Sequence, residues 1–489
     1  MDFGSDSARA VLVDSGNGDI LAESSMNYPL WSEGRWCDVS ASMYRQSPSD
    51  YMAVLRHIVP EVVAAAPQGA RIAAIGVDAT ASTPCLLDAR MEIIDPEDPD
   101  ALFVLWKDHT ALAEGREISQ KGARYLSHCG GTYSAENLWS KVLHILRTNP
   151  SVASRAAYVI ELCDYIPWLL TGVWRPSRCA AALKHLWDMD GFPPEAFFAS
   201  LHPAMPALAA GIPARNHCSV EVCGHLSDRW AAAFGLDGDV VVAVGQVDAH
   251  SGAVGAGCNE DTMVLNLGTS ACVMASGEHR NPIPGLFGQA MDSIIPSLEG
   301  FEMGMSSFGD NFTWFSRLTG RSIPELSDAA ARVADDAMPL CTDWFNGRRS
   351  PSPDPGASAS LLGLRLSTGP GEIFRSLVEA DCFGIKAIVD HLDAYGVRPS
   401  RFVAVGGIAH KSPLLMQMLS DVLGREICVL QARECCALGA AMNASVAAGI
   451  HPDLSAAQKA MAQPVLTTWR PCGPSRQERY RRYLELQRQ

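Results

Sequence analysis

The sequence predicts an α/β protein made of two related domains, and three observations carry that reading. A short pattern occurs once in each half. Near the start it reads Met1-Asp2-Phe3-Gly4-Ser5-Asp6-Ser7-Ala8-Arg9-Ala10-Val11-Leu12-Val13-Asp14, and downstream Met263-Val264-Leu265-Asn266-Leu267-Gly268-Thr269-Ser270-Ala271-Cys272-Val273-Met274. Each is a β-prone run, a tight turn of glycine and small hydroxyl residues, and a second β-prone run, which is a hairpin signal. Apolar strand-like runs alternate with helical patterns along the rest of the chain. The length, 489 residues, exceeds what one hydrophobic core ordinarily fills.

The elements follow in order. Glycine lets a turn approach a ligand closely, and successive turn N–H groups form an anion nest. Ser5, Ser7, Thr269 and Ser270 add hydroxyl donors. One such hairpin alone is ordinary; a pair, one per half, suggests two domains holding one polyphosphate. Residues 72–78 form an apolar run ending in Asp78, typical of a buried strand. Residues 158–172 read as a strand passing into a short helix stopped by Gly172. A break falls at 235–239, and the run 240–244 opens a fresh α/β pattern, so the boundary is placed between domains 1–239 and 240–489. Residues 350–360, rich in proline and serine, read as a surface loop. Residues 401–412 lead from a strand into Gly406-Gly407, and an amphipathic helix follows over 413–423. A strand, a glycine pair and a helix N-terminus can let backbone pack against a nucleotide, although the segment is neither a P-loop nor a dinucleotide fingerprint. A small-residue helix opens at Cys436-Ala437-Leu438-Gly439-Ala440-Ala441.

Composition excludes some classes. A net charge of -15 opposes nucleic acid, whose phosphates it would repel. No apolar run reaches membrane-spanning length. Fifteen irregularly spaced cysteines and the lack of a signal peptide predict reduced thiols and a cytoplasmic protein. Cys435-Cys436 read as packing residues. Cys218 and Cys223 near His217 and His225 match no standard zinc spacing and read as structural.

Gly245-Gln246-Val247-Asp248 places a carboxylate just past a strand's C-terminal end, where open α/β sheets bind ligands. Asp248 there can accept the proton of an attacking hydroxyl, or it can cap the helix that follows. Sequence alone leaves the two equal.

Met1 to Ala10, Trp31-Ser32-Glu33-Gly34-Arg35-Trp36-Cys37-Asp38, Leu105-Trp106-Lys107-Asp108-His109-Thr110, Glu161-Leu162-Cys163-Asp164, Asp248-Ala249-His250-Ser251-Gly252, Asp343-Trp344-Phe345-Asn346-Gly347-Arg348-Arg349 and Gly406-Gly407-Ile408-Ala409 lie in colinear order over nearly the whole chain. Together they resemble the FGGY carbohydrate kinases, and most closely the branch that phosphorylates L-ribulose in L-arabinose catabolism. The resemblance implies two actin-like (ribonuclease-H-like) ATPase domains around an interdomain cleft. It implies transfer of the ATP γ-phosphoryl group to the terminal hydroxyl of a ketopentose, with Mg2+ as companion of ATP. Asp248 matches the catalytic base, and Asp2 the carboxylate that helps hold Mg-ATP. Gly4, Ser5 and Ser7 match the first phosphate turn, Gly268 and Thr269 the second, and Gly406 and Gly407 the adenosine segment. Ala81, Trp106, Lys184, Asp248 and Glu302 match sugar contacts. By the residues alone, Lys184 reads as a surface charge, Glu302 as a helix-start carboxylate and Trp106 as a core filler. His109 and His250 are expected to orient neighbours rather than act as bases. The resemblance implies a small sugar as the partner, neither nucleic acid nor membrane, and leaves a homodimer open.

Two departures accompany it. Family members carry several apolar residues before the position of Asp2, so the first strand is expected to be cut short beside a free amine; each lost buried side chain would cost about 1.5–3 kcal/mol. The region 321–340 is short, as if an excursion were trimmed. Other readings are a family member acting on D-ribulose, xylulose or ribitol, an actin- or chaperone-like ATPase coupled to a protein partner, and an inactive sugar sensor.

Overall fold

Strand β1 (Asp2–Phe3) is only two residues long, yet it is the centre of a five-stranded sheet. The other members are β2 (Ser7–Val13), β3 (Ile20–Asn27), β4 (Asp78–Ala79) and β5 (Gln246–Val247), in the order β5-β4-β1-β2-β3. The protein is described by a computed structural model covering residues 1–236, 239–334, 338–354, 356–473 and 476–487. β1 runs antiparallel to β2 and parallel to β4, with Asp2 opposite Asp78, and β4 runs parallel to β5. Phe3 is fully buried beneath it, edge-on to Tyr51. The expected strand over 72–78 is broken into Ala74–Ile75 and Asp78–Ala79, because Gly76 passes against the backbone of Ala440, where a Cβ would lie 1.9 Å from that carbonyl oxygen.

Compactness divides the chain into two units. The first contains Met1–Gly257, Gln289–Gly300 and Glu434–Ala462; the second contains Cys258–Gly288, Phe301–Arg433 and Gln463–Gln489. The boundary read from sequence at 239/240 falls inside the first unit. β5 is the reason, since it pairs with β4, and helix α1 (Asp248–Gly255) follows directly. Of the break at 235–239, Gly235 ends the helix Asp228–Phe234 in the left-handed region, while residues 237 and 238 lie outside the described residues.

In the first unit α1 packs against α2 (Cys435–Ala447) almost backbone to backbone. A Cβ on Gly439 would sit 1.9 Å from the Ser251 carbonyl oxygen, and one on Gly255 would sit 2.1 Å from that of Cys435. The run of Ala, Gly and Ser in both helices is what permits this approach. The segment 158–172 forms as expected: strand Tyr158–Glu161, then helix Leu162–Thr171, closed by Gly172 at φ +75°.

In the second unit the sheet contains β6 (Thr262–Leu267), β7 (Ala271–Gly277), β8 (Arg401–Val405), β9 (Ile427–Leu430) and β10 (Val465–Trp469), in the order β7-β6-β8-β9-β10. β6 and β8 are parallel, and the helix Pro413–Leu423 has the bounds the sequence suggests. Within the loop expected at 350–360, Ser350 is buried, and residue 355 lies outside the described residues. Residues 335–337 of the short region are likewise outside them. Among the described residues no helix is long and apolar enough to cross a membrane.

Buried Asp164, in the helix after the Tyr158–Glu161 strand, carries a pH signature. Burial pushes its carboxyl up to about 7, against the Ser177 N–H that donates to Oδ1 at 2.8 Å. Between about pH 4, where an unfolded aspartate releases its proton, and about pH 7, the folded state retains a proton the unfolded chain has lost. Stability from this group is therefore complete below that window and lost as pH rises through it. Asp164→Asn keeps the acceptor for Ser177 and removes the titration. Its thermal midpoint relative to the wild type is expected to rise by several degrees between pH 5 and pH 8; a gap that does not change with pH refutes this.

Candidate active site

The first phosphate turn is built by pairing β1 with β2. The Gly4 N–H donates to the Ser7 carbonyl oxygen at 3.0 Å, and the Tyr28 hydroxyl donates to the Gly4 carbonyl at 3.1 Å. The Gln46 amide donates to the Ser5 carbonyl at 2.6 Å, and the Trp106 indole N–H to the Ser5 hydroxyl at 2.8 Å. Tyr28 and Gln46 are buried, so the turn rests on rigid supports. Trp106 is thus half-buried and polar-bonded to the turn, not a core filler.

Carboxylates gather at this end of the sheet. Parallel pairing in register sets Asp2 beside Asp78. Oxygens of both and the Cys436 sulfur lie within 4.8 Å of one another. Asp78 is fully buried, and neither of its oxygens accepts a hydrogen bond from an N–H group. Burial, then Asp2, then Asp248 push its carboxyl far above the ordinary range, the burial effect being the largest; the nearby amino terminus opposes them. The Cys436 thiol is pushed up by burial and by Asp2, Asp78 and Asp248. Two like charges at adjacent register positions favour a bound cation or a shared proton. Both cysteines pack as the sequence suggests, Cys435 against Gly255 and the Cys436 sulfur against Gly252, and that sulfur also lies near the two carboxylates. Asp78 was legible as the carboxylate that ends an apolar run, but its pairing with Asp2 was not.

Asp248 begins α1, one residue beyond β5, and is half-buried. Its Oδ1 accepts the Ala249 N–H at 2.7 Å. Asp248 is thus the first residue of the helix, whose N-cap position is Val247, and its carboxylate lies at the sheet's C-terminal end. His250 is buried within α1. His109 is exposed and pairs with Glu136 at 3.1 Å.

Two further expected residues, Ala81 and Lys184, lie in the same unit. Ala81 follows β4 and is half-buried. Lys184 ends the helix Arg178–Lys184 and is buried, not a surface charge, with its carbonyl accepting the Tyr133 hydroxyl at 2.5 Å. Asp108, from the Trp106 motif, is wholly buried in an ion pair with Arg45 and also accepts the Tyr44 N–H at 2.7 Å. That pair fixes the loop behind Trp106. Arg178 pairs with Asp292, tying residues 289–300 to the rest of the first unit.

The second unit carries the remaining residues. Gly268 donates its N–H to the Ser270 carbonyl at 3.0 Å, closing the second turn, and the Thr269 carbonyl accepts the Phe308 N–H at 2.9 Å. Gly406 adopts φ +92°, and a Cβ there would lie 2.5 Å from the Leu267 carbonyl oxygen. The glycine pair and the second turn are therefore packed together, whereas Gly407 has open space where a Cβ would be. Glu302 lies in the strand Glu299–Met305, not at a helix start, and is buried with the Cys272 thiol 3.4 Å from Oε1. Asp343 is structural: the Tyr483 hydroxyl donates to it at 2.5 Å, and burial pushes its carboxyl up to about 6. Among the described residues, Cys218, Cys223, His217 and His225 form no metal cluster.

Residues 1–255 match the N-terminal domain, and residues 263–448 the C-terminal domain, of the FGGY family of carbohydrate kinases. A ribulokinase of Vibrio parahaemolyticus is 36% identical over 99% of this chain and 94% of its own length. A ribulokinase of Shouchella clausii is 34% identical over 92% of this chain and 86% of its own. The fold is shared with a xylulose kinase of Rhodospirillum rubrum at TM-score 0.82 and 24% identity, covering 99% of this chain and 97% of that one. It is shared also with the ADP complex of a Plasmodium falciparum glycerol kinase at TM-score 0.80 and 17% identity, covering 100% and 96%. The architecture is the mixed α/β, actin-like ATPase fold of these kinases.

Proposed function

The chain belongs to the FGGY family of carbohydrate kinases, and from that premise we propose that it transfers the γ-phosphoryl group of ATP to the terminal hydroxyl of L-ribulose, giving L-ribulose 5-phosphate. The observation that carries the reaction class is Asp248, a half-buried carboxylate at the C-terminal end of the sheet that also presents Asp2 and Asp78. A primary alcohol is too weak an acid to attack unaided. Asp248 takes its proton as the new O–P bond forms, while the O–P bond to ADP breaks. Asp2 and Asp78 fit a hard divalent cation, because they offer oxygen ligands and Asp78 has no N–H partner. Mg2+ bound there would neutralise charge on the phosphates. The N–H groups and hydroxyls of Gly4, Ser5 and Ser7, and of Gly268 and Thr269, bind phosphate oxygens, and Gly406 and Gly407 admit the adenosine. For the sugar, Trp106 supplies a flat wall, Ala81 leaves room, and Lys184 and Glu302 pair with hydroxyls.

L-ribulose as substrate rests on the ribulokinase relatives. ADP release measured with Mg-ATP and a panel of L-ribulose, D-ribulose, L- and D-xylulose, ribitol and no sugar tests it. L-ribulose is expected to lead in kcat/KM, with negligible turnover in the absence of sugar. A different leading sugar corrects the substrate; sugar-independent ADP release overturns the reaction.

A further inference from the structure

Lys141 has a position that the reaction as described does not use. It lies on the helix Leu138–Thr148 and is 1% exposed. Its ammonium donates to carbonyl oxygens on two separate segments: Ser82 at 2.6 Å, and Leu105, Val104 and Trp106 at 2.8, 3.2 and 3.4 Å. The first segment carries Ala81 and the second carries Trp106. Burial lowers the ammonium's proton affinity, to a pKa of about 7, and nearby Glu161 is the largest opposing influence.

Glu161 completes the arrangement. It is also 1% exposed. Its Oε2 accepts the Ser82 hydroxyl at 2.6 Å and lies 3.1 Å from His185 Nε2, and its Oε1 accepts the Thr83 N–H. His185 follows Lys184, and its carbonyl accepts the Trp139 indole N–H at 2.7 Å, from the helix that carries Lys141. Three segments bearing proposed sugar contacts, at 81, 106 and 184, are thus tied to two buried ionisable side chains, Lys141 and Glu161, and to one helix. An isolated buried ammonium is costly. A fold needing only bulk at this place could use an apolar side chain, which could not bridge the two segments.

We propose that Lys141 is a positioning residue for the sugar, holding the Ala81 segment and the Trp106 segment at a fixed separation and thereby setting sugar affinity and the choice among ketopentoses. The proposal rests on the reading that Ala81 and Trp106 contact the sugar. A side chain that only supported the fold would affect nucleotide and sugar alike. A positioning residue affects the sugar far more than the nucleotide, because the backbone of the first phosphate turn is held by Tyr28 and Gln46, and the Trp106 segment reaches that turn only through the Ser5 hydroxyl.

The experiment uses full-length Lys141→Met, with KM for L-ribulose and for ATP, kcat, and kcat/KM for D-ribulose. Expected are a 10- to 100-fold rise in KM for L-ribulose, an ATP KM within about twofold of wild type, and a preference for L- over D-ribulose reduced at least fivefold. An unchanged sugar KM, or sugar and ATP constants rising together, overturns the proposal. Should the Met variant not fold, Lys141→Ala is prepared in propylammonium, the fragment removed, and the amine is then withdrawn. Loss of sugar affinity while ATP binding and the thermal midpoint persist supports positioning; simultaneous loss of all three overturns it. Trp106→Leu in the same assays separates the premise from the inference. If it leaves the sugar KM unchanged, the contact reading fails, whatever Lys141→Met does.

Discussion

Asp248→Asn is expected to lower kcat by about 10³-fold, within the range for removal of a positioned general base, while ATP affinity and thermal stability stay close to wild type. Asparagine has the shape of aspartate and retains an oxygen for the Ala249 N–H, so the start of α1 is preserved. What it lacks is the ability to take a proton from the sugar hydroxyl. The loss therefore falls on the transferring step and not on binding of either substrate. Rapid-quench measurement of the first turnover, with calorimetric titration of ATP, separates the two. A variant that keeps more than a tenth of wild-type kcat removes Asp248 from proton transfer and leaves it only the hydrogen bond to Ala249.

Gly439→Ala is expected to be among the most damaging single-methyl changes at the described glycines. The added Cβ would lie 1.9 Å from the Ser251 carbonyl oxygen and 2.9 Å from the Gly255 amide nitrogen. The obstruction is backbone of α1, which cannot rotate away as a side chain can. Overpacking of a closed interface costs roughly 1–3 kcal/mol, and a backbone clash belongs at or above the upper end. Scanning calorimetry should show a midpoint lowered by roughly 5 °C or more. Activity should fall further than stability predicts, because α1 carries Asp248 at its first residue and a displacement of about 1 Å at a reacting group can cost 10²-fold. A variant with wild-type midpoint and kcat would show that the two helices separate freely and that their close packing does not place the base.

The two effects arise from different kinds of information. Asp248 was legible because a strand end followed by a helix start is a local pattern, and the carboxylate falls between them. The clash at Gly439 was not, since nothing in Leu438-Gly439-Ala440 names the helix, nearly two hundred residues earlier, that lies against it. The same division runs through the site. Both glycine turns, the Gly172 stop and the helix Pro413–Leu423 could be read in order, because turn chemistry and apolar spacing act over a few residues. The neighbours of Asp2 could not.

By itself, then, the sequence determined the local elements, the pair of phosphate turns, the carboxylate at the end of β5 and, through colinear motifs, the family. Tertiary structure alone decided three things. It placed Asp78 beside Asp2 and the Cys436 sulfur within 4.8 Å of both. It made Lys184 buried and gave Lys141 its two carbonyl-bearing segments. And it assigned α2 to the first unit, against its order in the chain. The physical reason is that backbone propensity and hydrophobic period encode how each short segment folds, whereas parallel pairing and helix packing join segments far apart in sequence. Buried charges acquire their proton affinity, and their function, from those distant neighbours.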